Sequence, residues 1–253
     1  MSKAVASLST ASALPESGPR RTPLFSRAAV NFRPAALVYR VVALAIILTG
    51  VIRHSDILTG QPAWTTLLFY TMVSNLLCLA WVVLLLVRTV GDLRQRGRFG
   101  TSTPSARGSG AVMFAITVTM LIYLIVLVPS RFADGDAEIF SLTDNLIHII
   151  TPVLVIVDWL VFVPKGSFRW IDPLLWTLLP YVYLTWAFVY GALGGEFTPG
   201  QAYPYPFMDV DVLGVAGVAQ WIIALTVALV AVGFVFVIID RVLGSLARRF
   251  VRH

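Results

Sequence analysis

The stretch SLTDNLIHIITPVLVIVDWLVF, residues Ser141–Phe162, decides the fold. It is almost continuously apolar, and it is long enough to cross a bilayer as an α-helix, which takes about 20 residues. It also contains His148, and an ionisable side chain inside such a helix is costly and marks a functional site by default. The sequence therefore predicts a membrane-spanning helix that carries a candidate site.

The composition of the whole chain agrees with a membrane protein. The 253 residues are 58% hydrophobic and 13% charged, whereas an ordinary soluble domain is about 25% charged. The single cysteine, Cys78, excludes a disulfide within one chain and a cysteine metal cluster. The three histidines are too far apart to show a metal-ligand spacing, so we expect neither a metal nor a cofactor.

Six apolar segments are each long enough to span a bilayer. They predict an all-α integral membrane protein, a six-transmembrane-helix bundle over residues 35–246. Residues 1–34 are rich in Ser, Ala, Pro and Arg and are expected to form a disordered cytoplasmic tail, and residues 247–253 a basic cytoplasmic tail. The acid-poor start also fits a mitochondrial transit peptide. The predicted spans are Ala35–Ile52, Ala63–Val87, Ala111–Val128, Leu142–Val163, Leu174–Leu193 and Val212–Ile239.

The positions of lysine and arginine predict the orientation of the bundle. With both termini in the cytoplasm, all 19 Lys and Arg residues except Arg53 and Arg131 belong to the cytoplasmic side. This is the positive-inside pattern. We therefore expect a multi-pass protein of the plasma membrane, which in a bacterium is the inner membrane. The same pattern explains the net charge of +6 without a nucleic-acid partner, so the expected partners are membrane lipids.

Polar side chains interrupt two of the predicted spans. In the second span, Thr71, Ser74 and Asn75 share one helix face. Because that span is predicted to begin at Ala63, Thr71 is expected about 12 Å along its axis. In the fourth span, His148 is expected about 10 Å from the start. The two groups therefore lie at a similar depth, although the sequence does not show whether their helices touch.

The surroundings of His148 allow more than one role. Asp144 and Asn145 precede it by four and three residues and share its helix face. Asp144 could accept a hydrogen bond from one ring nitrogen and leave the other free as a base. Alternatively, Ser141 and Asp144 form a capping box, and His148 only joins neighbouring helices. Pro152 removes the helical partner of the His148 carbonyl and predicts a local kink.

Other features outside these clusters carry expectations of their own. Arg40 lies near the start of the first span, and its charge is expected to reach the interface. Asp158, near the end of the fourth span, is expected to cap the helix, to pair with Arg169 or Lys165, or to meet water at the inner interface. The segment YPYPFMD, Tyr203–Asp209, is stiff because it has two prolines between aromatic residues. It either covers the outer mouth of the bundle or anchors the sixth helix at the interface.

Several of these pieces carry a resemblance to known proteins. They are FYTMVSNLL (Phe69–Leu77), HIITP (His148–Pro152) with the following Asp158-Trp159, and YPFMD (Tyr205–Asp209). On these pieces, residues 35–246 resemble the bacterial six-helix family known as Pr-six-Pr. That family is in turn similar to the eukaryotic androgen-induced membrane hydrolases, threonine hydrolases that cleave fatty acid esters of hydroxy fatty acids.

The resemblance implies Thr71 as the nucleophile and His148 as the essential histidine. The polar pair Ser74-Asn75 departs from the eukaryotic pattern, and a shift in the alignment there would put Ser74 in contention as the nucleophile. Because the threonine hydroxyl is a weak nucleophile, it needs an adjacent base such as a neutral histidine. Donors such as the Asn75 amide would stabilise the oxyanion.

We therefore expect an intramembrane lipid-ester hydrolase with a Thr71 nucleophile and a His148 base, and the resemblance implies a fatty acid ester of a hydroxy fatty acid as its substrate. A non-catalytic lipid-binding or lipid-handling protein is the first alternative. A small proton-coupled transporter with His148 as a relay is the second, and it is less favoured because no pair of broken helices marks a midplane site. The expected supporting residues are Asn75, Ser74, Asp144 and Asn145.

Overall fold

The computed structural model describes residues 25–26, 29–133, 135 and 139–250. Within these ranges, six helices are long and apolar enough to cross a membrane, as in a multi-pass membrane protein. They are α1 (Arg33–His54), α2 (Tyr70–Arg96), α3 (Ala106–Ala133), α4 (Leu142–Phe162), α5 (Asp172–Ala192) and α6 (Val210–Phe250), the last interrupted at Gly214. Before α1, two short strands, β1 (Phe25–Ser26) and β2 (Ala29–Val30), pair in antiparallel fashion.

The predicted six-helix architecture is confirmed, whereas the side of the membrane on which the termini lie stays a prediction. Of the predicted N-terminal tail, residues 1–24 lie outside the described part of the chain, as do residues 251–253 of the C-terminal tail. The last residues of the N-terminal tail pack against the bundle. β2 contacts α4. Arg33 is buried, and its guanidinium donates to Ser102 Oγ and to main-chain oxygens between α2 and α3.

The helices form one bundle with α3 as its most buried member. α1 packs against α2 and α4, and both of these pack against α3. α5 and α6 contact each other and α3, but they are the least buried of the six helices. We call the end of the bundle where α2, α4 and α6 begin the histidine end, and the opposite end the terminal end.

Arg40 is buried, which corrects the expectation that its charge reaches the interface. Its guanidinium donates to Asp158 Oδ1 at 2.8 Å, to Thr89 Oγ1 at 2.8 Å and to the Ser102 main-chain oxygen at 3.3 Å. Asp158 therefore pairs with an arginine on α1 and not with the basic residues that follow α4. The two buried charges compensate each other, and the bonds to Thr89 and Ser102 satisfy both hydrogens of Arg40 Nη1. The pair joins α1, α2 and α4.

π-helical turns interrupt two of the described helices, Tyr123–Leu127 in α3 and Leu146–Ile150 in α4. In α4, the Thr151 N–H donates to the Leu146 oxygen, five residues back, and the Thr151 hydroxyl donates to the same oxygen at 2.9 Å. Pro152, which has no N–H, follows directly. The irregularity expected at Pro152 is thus a π-turn, a feature that is frequent at functional sites.

α2 begins at Tyr70, whereas the sequence predicted Ala63. The intervening residues Trp64–Leu68 form a 3-10 turn, and Phe69 is extended. Hydropathy places the whole stretch in a span because Leu67, Leu68 and Phe69 join the apolar run of α2, but it does not show where the helix starts. Thr71 is therefore the second residue of α2, and the expected position about 12 Å along the helix is wrong.

We expect Arg40→Leu to lower the free energy of unfolding by about 3–5 kcal/mol, because it leaves the Asp158 carboxylate buried without its partner. Arg40→Leu combined with Asp158→Leu removes both charges and is expected to recover most of this loss. Arg88→Leu, on the exposed face of α2, is the matched control. Unfolding in detergent micelles, followed by circular dichroism, measures all three variants. Equal losses in the single and double variants would contradict this role of the pair.

Candidate functional site

Thr71 and His148 meet at the histidine end of the bundle. Thr71 Oγ1 lies 3.3 Å from His148 Nε2, and both side chains are buried. Thr71 comes from the first turn of α2, and His148 from the middle of the π-turn in α4. The structure thus brings together the two residues whose helices could not be placed relative to each other from the sequence.

The second ring nitrogen of His148 determines its tautomer. Nδ1 lies 3.1 Å from the main-chain oxygen of Asp144. A carbonyl oxygen only accepts, so the neutral ring carries its hydrogen on Nδ1, and Nε2 keeps a lone pair. Nε2 then accepts from the Thr71 hydroxyl. The carboxylate of Asp144 is farther away, with Oδ1 3.7 Å from Nδ1, so the hydrogen bond expected from Asp144 is made by its main chain.

Helix α3 holds the imidazole in place. The ring of Tyr123, in the π-turn of α3, stacks on His148 with the centroids 4.1 Å apart and the planes 9° from parallel. Near the end of α3, Arg131 Nη1 donates to Asp144 Oδ2 at 2.9 Å. The same helix therefore positions both the ring and the residue whose carbonyl orients it. Asp144, His54 and Arg131 are the charged or titratable neighbours of His148.

Asn75 joins α2 to the π-turn of α4. Its Nδ2 donates to the Thr71 oxygen at 2.7 Å and to the Ile147 oxygen at 3.0 Å. Both amide hydrogens are used in these bonds, so Asn75 does not supply the oxyanion donor that the sequence suggested. It sets the spacing between the helices that carry Thr71 and His148.

Ser74 and Asn145 make contacts away from the histidine ring. The Ser74 hydroxyl donates to the Thr71 main-chain oxygen at 3.0 Å and lies 2.7 Å from Thr119 Oγ1, so it faces α3. Asn145 donates to the Phe140 oxygen at 2.7 Å and holds the loop before α4. Ser141 Oγ accepts from the Asp144 N–H, as expected for a helix cap. Of the two candidate nucleophiles, the geometry therefore favours Thr71.

Tyr205 is a site residue that the sequence did not single out. Its hydroxyl lies near the Thr71 side chain and near the backbone N–H groups of Tyr70 and Thr71. These N–H groups lie in the first turn of α2 and so have no helical partner. Burial raises the pKa of Tyr205 to about 12, so its hydroxyl stays protonated at neutral pH. The stiff aromatic segment Tyr203–Asp209 was the sequence signal that could have pointed to Tyr205.

Tyr205 forms part of the wall of both a polar cleft and an apolar cleft. The apolar cleft measures about 590 Å³ when the open space at its mouth is included, and it is lined mainly by residues of α3, α5, α6 and the loop before α6, among them Leu184 and Leu225. The polar cleft measures about 580 Å³ on the same basis and is lined by residues of the loop before α6 and by Asp211 in the first turn of α6. Thr71 and His148 line neither cleft, and Tyr205 contacts both clefts as well as Thr71.

Comparison with protein families, curated proteins and solved structures finds nothing that matches this chain. The resemblance to the Pr-six-Pr family and to the androgen-induced hydrolases therefore stays a prediction.

Solid-state nitrogen NMR of histidine-labelled protein in bilayers is expected to show His148 as the Nδ1–H tautomer, because Nδ1 faces a carbonyl oxygen. Thr71→Val is nearly isosteric and removes the hydroxyl, so we expect it to shift the Nε2 resonance and to leave Nδ1 protonated. Ser74→Ala serves as the control and should leave both resonances in place. A proton on Nε2 in the neutral ring would contradict the assigned geometry.

Proposed function

We propose that this protein is an intramembrane hydrolase of lipid esters, with Thr71 as the nucleophile and His148 as the general base. One observation carries the proposal. The Thr71 hydroxyl lies 3.3 Å from Nε2 of a ring whose Nδ1 lies 3.1 Å from a carbonyl oxygen. A nucleophile, a base and a group that orients the base form the arrangement that activates a weak hydroxyl nucleophile.

The first half-reaction transfers the acyl group to the threonine. Thr71 Oγ1 attacks the ester carbonyl carbon while His148 Nε2 takes the hydroxyl proton. The carbonyl electron pair moves to oxygen and forms a tetrahedral oxyanion. When this intermediate collapses, the ester C–O bond breaks, and the alcohol leaves with the proton from Nε2. The acyl group remains on Thr71 Oγ1.

The second half-reaction returns the enzyme to its starting state. Water attacks the carbonyl carbon of the acyl-threonine and gives its proton to His148 Nε2. The new oxyanion collapses, and the bond between the acyl carbon and Thr71 Oγ1 breaks. The carboxylic acid leaves, and Thr71 Oγ1 takes the proton back from His148 Nε2. Ester and water have then become acid and alcohol, and the balance is complete without a cofactor.

Tyr205 and the start of α2 supply donors for the oxyanion. The Tyr205 hydroxyl and the N–H groups of Tyr70 and Thr71 lie together beside the nucleophile. In other enzymes a single preorganised donor of this kind contributes about 100- to 1000-fold in rate. A helix N-terminus also favours negative charge.

The proposal includes a location in the bacterial plasma membrane, with the pair near the outer surface. In the described helices and loops, the basic residues other than Arg53 and Arg131 belong to the terminal end. The positive-inside rule places such an end in the cytoplasm. A lipid ester could then keep its chains in the hydrocarbon while water enters from the outer surface.

Reporter fusions test this orientation. Because the terminal end carries the basic residues, we expect green fluorescent protein fused after His253 to fluoresce, as it does only in the cytoplasm. Alkaline phosphatase inserted at Gly200, between α5 and α6, is expected to be active, because this enzyme is active only outside the cytoplasm. The reverse result for both reporters would overturn the orientation.

Hydrolysis of a fluorogenic acyl ester by purified protein in vesicles tests the catalytic pair. Thr71→Val and His148→Gln are each expected to lower kcat by about 100- to 10,000-fold, because each removes one partner of the proton transfer. Thr71→Ser keeps a hydroxyl and is expected to keep part of the activity. Ser74→Ala is expected to leave it nearly unchanged, because the Ser74 hydroxyl faces α3.

A fluorophosphonate probe gives a second readout and is expected to label Thr71. Labelling or hydrolysis that survives both Thr71→Val and His148→Gln would reject the pair. Lipid binding without turnover would instead favour the lipid-handling alternative. Uptake into vesicles that depends on pH and is lost in His148→Gln would favour transport.

A further inference from the structure

We propose that the substrate is an ester whose acyl chain lies in the apolar cleft and whose alcohol part lies in the polar cleft and carries no negative charge. This inference rests on the proposed hydrolase function and names its substrate class. An acylated glycerol has the required chemistry, whereas an acylated hydroxy acid with a free carboxylate does not.

The apolar cleft fits an acyl chain. Its walls are largely apolar side chains, including Ile122 of α3, Leu184 of α5, and Leu225 and Leu229 of α6. α5 and α6 are the least buried spans of the bundle, so the cleft lies where the surface is exposed to lipid. A ligand that enters from the hydrocarbon meets apolar side chains along this cleft until it reaches Tyr205.

Tyr205 connects the two clefts to the nucleophile. Tyr205 is buried, with a relative exposure of 8%, and it lines both clefts. Its ring stacks on Phe207, which also lines the apolar cleft, with the centroids 5.4 Å apart. Because Tyr205 lines both clefts and its hydroxyl lies near Thr71, an ester that occupies the two clefts crosses at Tyr205, beside the nucleophile, which itself lines neither cleft. The carbonyl group of the ester is the part expected there.

The charge of the polar cleft selects the alcohol part of the ester. Asp209 and Asp211 line it, and its lining contains no Lys, Arg or His. Asp209 Oδ1 accepts from the N–H groups of Asp211 and Val212, which caps α6 but leaves the carboxylate charge in place. A free carboxylate on the substrate would be repelled. Hydroxyl groups can instead bond to polar side chains such as Gln201.

Two palmitoyl esters with the same acyl chain test the charge selection. One is the ester of glycerol and the other the ester of hydroxystearic acid, both presented to the full-length protein in phosphatidylcholine vesicles. We expect kcat/KM to be at least about tenfold higher for the glycerol ester, because like charges in a cleft are strongly unfavourable. Equal values, or a preference for the anionic ester, would overturn the inference.

Asp209→Asn combined with Asp211→Asn should reduce this discrimination. Both carboxylates become neutral, while the asparagine at 209 keeps an oxygen that can cap α6. We expect about a tenfold rise in kcat/KM for the anionic ester and little change for the glycerol ester. Glu196→Gln is the matched control, because Glu196 accepts from the Gly200 N–H and does not line the cleft. An unchanged ratio in the double variant would contradict the role of the two carboxylates.

Leu225→Trp tests the chain site, because it fills the apolar cleft. We expect kcat/KM for the palmitoyl ester to fall by about tenfold while the butyryl ester is nearly unaffected, since a short chain does not need the depth of the cleft. Val227→Trp, on an exposed position of the same helix, is the control. Equal effects of the two tryptophans would remove the apolar cleft as the chain site.

A binding experiment separates this inference from the proposed function. Hydrolysis that depends on Thr71, but that shows neither a preference for the glycerol ester nor a dependence of the palmitoyl ester on the apolar cleft, would support the function and contradict the inference. If no ester is hydrolysed, the function fails, and photo-crosslinking of the Thr71→Val protein with diazirine-labelled palmitoyl glycerol decides the inference. Crosslinks at Leu184 and Leu225 that the hydroxystearic ester does not give would support it. Their absence, or equal crosslinks from both esters, would overturn it.

Discussion

The hydrogen bond from His148 Nδ1 to the main-chain oxygen of Asp144 determines what the imidazole can do. Because that oxygen cannot donate, the lone pair of the neutral ring is left on Nε2, the atom that faces Thr71. The stack on Tyr123 and the ion pair between Arg131 and Asp144 hold both ends of this bond. Without it, the ring could carry its hydrogen toward Thr71, and the hydroxyl would have no base.

Polar contacts also determine how the helices align in a bundle that lipid surrounds. Apolar surfaces give little preference for one helix arrangement over another in hydrocarbon, so hydrogen bonds and close packing supply it. At the histidine end, Asn75 and the Thr71–His148 pair join α2 to α4. Toward the terminal end, Arg40 and Asp158 join α1 to α4. Helix α4 is thus held at two levels, and its rotation about its own axis is defined.

Hydropathy and length were enough to predict the six helices, because burial in a bilayer requires a continuous run of apolar residues. Local spacing also predicted that Ser141 caps α4. The partner of Arg40 could not be predicted, since Asp158 is 118 residues away and only packing brings it close. The start of α2 was missed because the apolar residues at the end of the 3-10 turn continue directly into the apolar residues of the helix. Tyr205 was missed because nothing in a loop sequence shows which ring turns inward.

The π-turns at Tyr123 and His148 have a consequence for the genetics of this protein. Each accommodates one residue more than an α-helical turn, so the extra residue displaces all later side chains around the helix axis. Removing a single codon at this point of α4 would restore regular hydrogen bonding and leave the span just as apolar. It would also rotate Asp158 away from Arg40 or His148 away from Thr71. In-frame loss of one amino acid here should therefore be less tolerated than most conservative replacements in the same helix.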